Sequence, residues 1–192
     1  MPNSVSAELL VTMKRAATVL KEHKVPFALA GGFAVYARGG SGSEHDVDFL
    51  IRREDADRAL ELLAAAGFST ERPPEDWLVK VYDQHRLVDL IFEPVGLPVT
   101  DATLADTTLM RVEAIEMPVL SATTLMTHKL LSFTEQYCDY TRALPLARSL
   151  REQIDWERVR TDTKPSPYAQ SFLFLLEQLD VLPVRRPADQ EG

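Results

Sequence analysis

Apolar residues fall at Leu9, Leu10, Met13, Ala16, Ala17 and Leu20, the spacing of one face of a helix. The pattern predicts an amphipathic helix over 6–24, with Ser6 as its N-cap and Pro26 just beyond its end. A short apolar run at 27–30 then enters Gly31–Gly32. It reads as a buried strand leading into a short helix, "FAVYARG", closed by Gly39 and Gly40. "DVDFLI" at 46–51 reads as a second strand, and 54–67 as a helix with an acidic first turn and a glycine stop. "WLVKVYD" and "RLVDLIFEP", separated by Gln84–His85, predict a hairpin. "RVEAIEMPVL" at 111–120 supplies a further strand. From Ser121 three helical patterns follow: "SATTLMTHKLLSFTEQY", "DYTRALPLARSLREQI" and "SPYAQSFLFLLEQL". Pro145 either interrupts the second of these or marks a boundary within it. The expected organisation is a mixed α/β core over 1–120 and a helical C-terminal segment over 121–192.

Composition narrows the classes. Hydrophobic residues make up 45% of the 192 and charged residues 26%, as in ordinary globular proteins with a real core. The formal net charge of −8 argues against broad binding to nucleic acid, though not against a local basic patch. The lone cysteine, Cys138, rules out an intramolecular disulfide and a cysteine-based zinc site, and is expected to be a small buried residue. The opening stretch is charged too often for a signal peptide, and no apolar run approaches the ~20 residues of a membrane span. A cytoplasmic protein without membrane contact is expected.

Two aspartates one residue apart, Asp46 and Asp48, open the strand "DVDFLI". Alternation puts both on one face, where they repel each other unless a cation lies between them. Alone, the pair reads equally well as a solvated strand end. Asp89 changes the balance. It sits inside "LVDLIF", where an unpaired carboxylate costs several kcal/mol. Converging from adjacent strands, the three would offer the oxygen ligands that hard divalent cations take. The Gly31–Gly32 turn leaves backbone amides able to approach a phosphate closely. An EF-hand is excluded, because Phe49, Leu50 and Ile51 stand where glycine and further oxygen ligands are needed. A dinucleotide fold lacks its glycine spacing here and gives no reason for Asp89.

The pieces "LAGG", "DVDF" and "VDL", in that order across about 27–92, resemble the DNA polymerase β-type nucleotidyltransferases. The short chain and helical tail are most similar to minimal nucleotidyltransferases of the AbiEii and MNT kind, many of them in toxin–antitoxin systems. The resemblance implies an α/β (α+β) fold, a mixed sheet flanked by helices with a helical C-terminal segment. It implies Mg²⁺ or Mn²⁺ held by Asp46, Asp48 and Asp89, and an NTP as substrate. Gly31 and Gly32 would hold the phosphates, and Ser41, Ser43 and Lys129 would contact the triphosphate. Asp139, in "YCDYTRAL", would match a later acidic position of the toxins.

The implied activity is transfer of a nucleoside monophosphate to an acceptor hydroxyl with release of pyrophosphate. The 3′ end of tRNA is the expected acceptor and a cognate antitoxin the expected partner, with Arg38, Arg52, Arg53, Lys80 and Arg86 as a local basic patch. The alternatives are a protein hydroxyl, a small molecule such as an aminoglycoside, or a domain that binds nucleotide or a partner without turnover. Taken alone, Lys129 is a snorkelling surface lysine.

Overall fold

The computed structural model describes residues 6–42 and 45–183; Ser43 lies outside the described residues. Helix α1 (Ala7–Glu22) follows Ser6 and buries Leu9, Met13, Ala16, Ala17 and Leu20, the stripe that the spacing predicts. Strand β1 (Phe27–Leu29) runs into α2 (Gly31–Ala37), which begins at the double glycine itself. Strand β2 (Asp46–Ile51), helix α3 (Ala56–Ala65), the short strand β3 (Ser69–Glu71) and the hairpin β4 (Leu78–Asp83) and β5 (Arg86–Ile91) follow. A one-turn helix α4 (Asp101–Ala105) leads to a second hairpin, β6 (Thr107–Val112) and β7 (Ile115–Leu120). Where one strand is expected at 111–120, the chain makes two, turning at Glu113 with φ of +55°. The helices α5 (Ala122–Leu131), α6 (Tyr140–Ser149), α7 (Trp156–Asp162) and α8 (Pro167–Gln178) complete the described chain. Pro145 lies inside α6.

The described strands form one mixed sheet in the order β3-β4-β5-β2-β1-β7-β6. At its centre β2 pairs antiparallel with β1 and parallel with β5. Val47, Phe49 and Ile51 are fully buried on one face of β2. There Phe49 meets Phe27 edge to face at 5.4 Å, and α1 and α3 pack together beside β5 and β4. Fully burying each such side chain contributes about 1.5–3 kcal/mol. The opposite face of the strand is left to Asp46, Asp48 and Leu50.

The β4–β5 hairpin is tied to α1 through Asp83, which accepts a hydrogen bond from Thr12 Oγ1 at 2.8 Å and pairs with Arg15 and Arg86. Burial pushes the Asp83 carboxyl up, but the Thr12 and Arg15 hydrogen bonds hold it below the usual range. This clamp fixes the strand that carries Asp89.

A single apolar cluster runs from Leu9 to Leu182. In the helical half α5 packs on α2, α6, α7 and α8. Phe133, Tyr140 and Phe172 stack there with ring centroids 5.0–6.2 Å apart. Phe172, Leu173 and Leu176 of α8 are buried while Phe174 is 61% exposed, so one broad face of that helix packs. Cys138 is exposed, against the expectation of burial. It stands just before Asp139, the N-cap of α6. No helix of the described residues is long and apolar enough to cross a membrane.

Candidate active site

Parallel pairing of β2 with β5 sets Asp48 directly against Asp89, and in-register neighbours share a face. Asp46 lies two residues earlier on that face. A carboxylate oxygen from each of the three lies within 4.8 Å of the others. Asp89 is 9% exposed, and its Oδ1 is buried with no hydrogen-bond partner. Such a group costs about 1–3 kcal/mol or more when left unsatisfied. Burial pushes the Asp48 carboxyl up to about 8, and the neighbouring Asp46 and Asp89 charges add to the effect. Burial also raises Asp89, to about 6, with the Lys80 ammonium pulling down and Asp46 pushing up. Lys80 stands opposite Asp89 in the β4–β5 register.

The double glycine has a steric reason that the sequence does not show. Gly31 has φ of +53°, and a Cβ there would lie 1.7 Å from Asp48 Oδ2. Only glycine allows both the left-handed backbone and this close approach. Ala30 N–H donates to the Asp48 carbonyl at 2.9 Å, locking the turn against β2. The first amides of α2 find no acceptor in an N-cap side chain, Ala30 having none to offer.

Three converging carboxylates and a buried orphan oxygen fit a hard divalent cation, which takes carboxylate oxygens and completes its shell with water. Without one, mutual repulsion and burial keep protons on the cluster. The donor set, oxygen only, suits Mg²⁺ or Mn²⁺ and not a thiolate- or imidazole-seeking metal.

The structure therefore brings Asp46, Asp48, Asp89 and Gly31 together, with Gly32 next along α2. Ser41 is exposed in the loop before β2. Lys129 and Asp139 form a second grouping in the helical half, and neither makes a hydrogen bond or ion pair with the three aspartates. Lys129 Nζ lies 5.7 Å from the Phe133 ring and 5.6 Å from the Tyr137 ring. Asp139 is the N-cap of α6, where its Oδ1 accepts from Thr141 N at 3.0 Å. Hydrogen bonding from the Thr141 hydroxyl keeps its carboxyl low, with smaller help from Arg142 and Lys129. Asp139 thus has a local structural reason to be there.

The arginines expected as a basic patch are engaged. Arg38 donates to the Leu120 and Val119 carbonyls at 2.7 and 3.0 Å. Arg52 pairs with Asp55, Glu54 and Asp101, Arg53 with Asp76 and Glu93, and Arg86 with Asp83 and Glu8. Lys80 forms no ion pair with any described residue. Its signal in the sequence is a lysine within the apolar alternation of "WLVKVYD".

Residues 12–97 match the aminoglycoside-2″-adenylyltransferase family, a stretch that holds Gly31, Gly32 and all three aspartates. Among solved structures, the fold is similar to the antibiotic-resistance factor ANT(2″)-Ia, at 13% identity and a TM-score of 0.60. That similarity covers 89% of this chain and 96% of that one. It is also similar to an antigenic nucleotidyltransferase-like protein of Paracoccidioides brasiliensis (18%, TM-score 0.56, 91% and 90% covered). A third is the lincomycin-bound lincosamide antibiotic adenylyltransferase LnuA (14%, TM-score 0.52, 84% and 100% covered). Among curated proteins, none matches the sequence.

Proposed function

We propose that this chain, a member of the DNA polymerase β-type nucleotidyltransferase superfamily, transfers a nucleoside monophosphate from an NTP to a hydroxyl of a small, amine-bearing acceptor of the aminoglycoside class. The observation that carries the reading is the convergence of Asp46, Asp48 and Asp89 beneath Gly31. The family match over residues 12–97 and the antibiotic adenylyltransferases among similar structures support the acceptor class. Charge supports it too. With a net charge of −8 and its arginines near the site already paired, the surface suits a cationic acceptor better than a polyanionic tRNA, which needs uncommitted cations. The reading requires no antitoxin partner.

Asp46, Asp48 and Asp89 would hold Mg²⁺, the bound metal neutralising charge on the triphosphate and easing ionisation of the acceptor hydroxyl. Asp89, with its carboxyl raised to about 6, is ionised near neutral pH and accepts the hydroxyl proton as general base. The hydroxyl oxygen then attacks the α-phosphorus and pyrophosphate departs. Backbone amides of Gly31 and Gly32 hold the phosphates, with Ser41 on the adjoining loop. Lys129 neutralises charge developing on the pyrophosphate. Asp139 caps α6. The catalytic core would span 1–120, and the helical segment at 121–192 would supply Lys129.

The test is incubation with each α-³²P-NTP, Mg²⁺ and a panel of aminoglycosides, beside lanes of total RNA and total protein. Label in an aminoglycoside product supports the reading. Label in a tRNA-sized or protein band instead would replace the acceptor, and binding of Mg²⁺–NTP without label in any lane would indicate a non-catalytic nucleotide-binding domain.

A further inference from the structure

A second recess of about 400 Å³ lies between the segment after β5, α4, α5 and α7, within the size range of small-molecule sites. Its wall from α5 is Thr124, Thr127, His128 and Leu131, spaced i, i+3, i+4, i+7 and therefore a single helical stripe. An inward stripe of that kind ordinarily packs with apolar residues; here three of its four positions carry hydrogen-bonding groups. Thr127 is 6% exposed, and its Oγ1 is buried without any hydrogen-bond partner. A purely structural site would gain by having valine there.

The charged groups of the recess are satisfied among themselves. Asp106 accepts from Ser121 Oγ at 2.9 Å and from Thr124 Oγ1, and pairs with Arg158 at 3.2 Å. Arg158 also reaches Asp162 at 3.5 Å. Burial lowers His128 to about 4 despite the nearby Asp106, so the imidazole is neutral and offers one donor and one acceptor. The His128 imidazole forms no hydrogen bond with any described residue. Leu97, Pro98 and Leu131 supply an apolar side, and Leu97 is 46% exposed at the rim.

What this recess offers a ligand is thus two neutral hydrogen-bonding groups beside an apolar surface, with no unpaired charge. We propose that it binds a small uncharged polyol, a hydroxylated ring of monosaccharide or cyclitol size, through the Thr127 hydroxyl and the His128 imidazole. Ring hydroxyls both give and accept hydrogen bonds, matching both groups, and the ring's C–H face lies against Leu97 and Leu131. An anion or amine would have to break the Asp106–Arg158–Asp162 chain to find a counter-charge. The inference does not rest on the transferase reading, and its readout involves no turnover.

The experiment is saturation-transfer NMR and calorimetry on the full chain with glucose, galactose and myo-inositol, beside inorganic phosphate and spermidine as charged probes. At least one neutral probe is expected to bind. Binding should weaken about tenfold in Thr127→Val, the loss of one neutral hydrogen bond, while the thermal midpoint holds or rises. His128→Phe, which fills the recess, should abolish binding and leave Mg²⁺–NTP affinity unchanged. The proposal is overturned if no neutral probe binds, if only charged probes bind, or if both variants bind as the wild type does. A midpoint several degrees lower in Thr127→Val would show the hydroxyl to be structural and overturn it equally.

Discussion

Replacing Asp48 with asparagine should stabilise the metal-free protein while abolishing its activity. In the fold the Asp48 carboxyl is raised from 3.8 to about 8. A group whose folded pKa lies above its unfolded value contributes stability at low pH that is lost as pH rises toward the folded pKa. The loss here begins near pH 4 and is complete near pH 8. At pH 7 the folded state must still hold a proton that the unfolded chain has released, costing about 1.4 kcal/mol for each of roughly three pH units, or ~4 kcal/mol. That figure is an upper one, because a charging carboxylate draws in water. Asparagine has the same shape and never titrates. At about 2–4 °C per kcal/mol for a chain of this size, Asp48→Asn should raise the midpoint by up to ~16 °C. Thermal unfolding in EDTA from pH 4 to pH 9 is the assay. The two proteins should coincide near pH 4 and diverge steadily to about pH 8. Millimolar Mg²⁺ should then raise the wild type and leave the variant unmoved. A variant less stable at every pH, or a gap that does not change with pH, would refute the reasoning.

Gly31→Ala should lose transfer and several degrees of midpoint. Left-handed backbone costs alanine about 1–2 kcal/mol, and the Cβ must displace the Asp48 carboxylate; a fully active variant would contradict the geometry. Lys80→Met removes the cation that holds Asp89 down, so the acid limb of the pH profile of kcat/KM should move to higher pH, and the metal-free protein should lose stability near neutral pH but not near pH 4. Lys129→Met should lower kcat about 10²-fold with an unchanged midpoint, and Lys129→Arg should recover part of it, measured by steady-state pyrophosphate release. Asp139→Ala, by contrast, should cost about 1 kcal/mol through loss of an N-cap, seen in denaturant unfolding.

The site was legible wherever the pleat writes itself into the sequence. Alternation in "DVDFLI" put Asp46 and Asp48 on one face, and the apolar neighbours of Asp89 marked a buried carboxylate in need of a partner. Register was not legible. That Asp48 meets Asp89 depends on β2 and β5 lying side by side in parallel, a long-range pairing that local pattern does not encode. Nor does composition reveal that Gly31 yields its Cβ space to Asp48, since a glycine before a helix fits a phosphate cradle equally well. The edge hairpin looks like one strand in the sequence because Leu109 points to solvent, 61% exposed, and the turn at Glu113 uses no glycine. Helix α7 leaves no periodic signal because it is short and polar; its start is the Asp155 side chain accepting from Glu157 N and Arg158 N. The arginines looked like a patch because sequence shows charges without their partners.

The most direct test of the central claim is a transfer assay with α-³²P-ATP, Mg²⁺ and an aminoglycoside panel, run on wild type, Asp46→Asn, Asp48→Asn and Asp89→Asn, with folding verified by thermal unfolding. The account predicts a labelled aminoglycoside from wild type alone, with all three variants folded and inactive. Labelled product from the folded variants would contradict it.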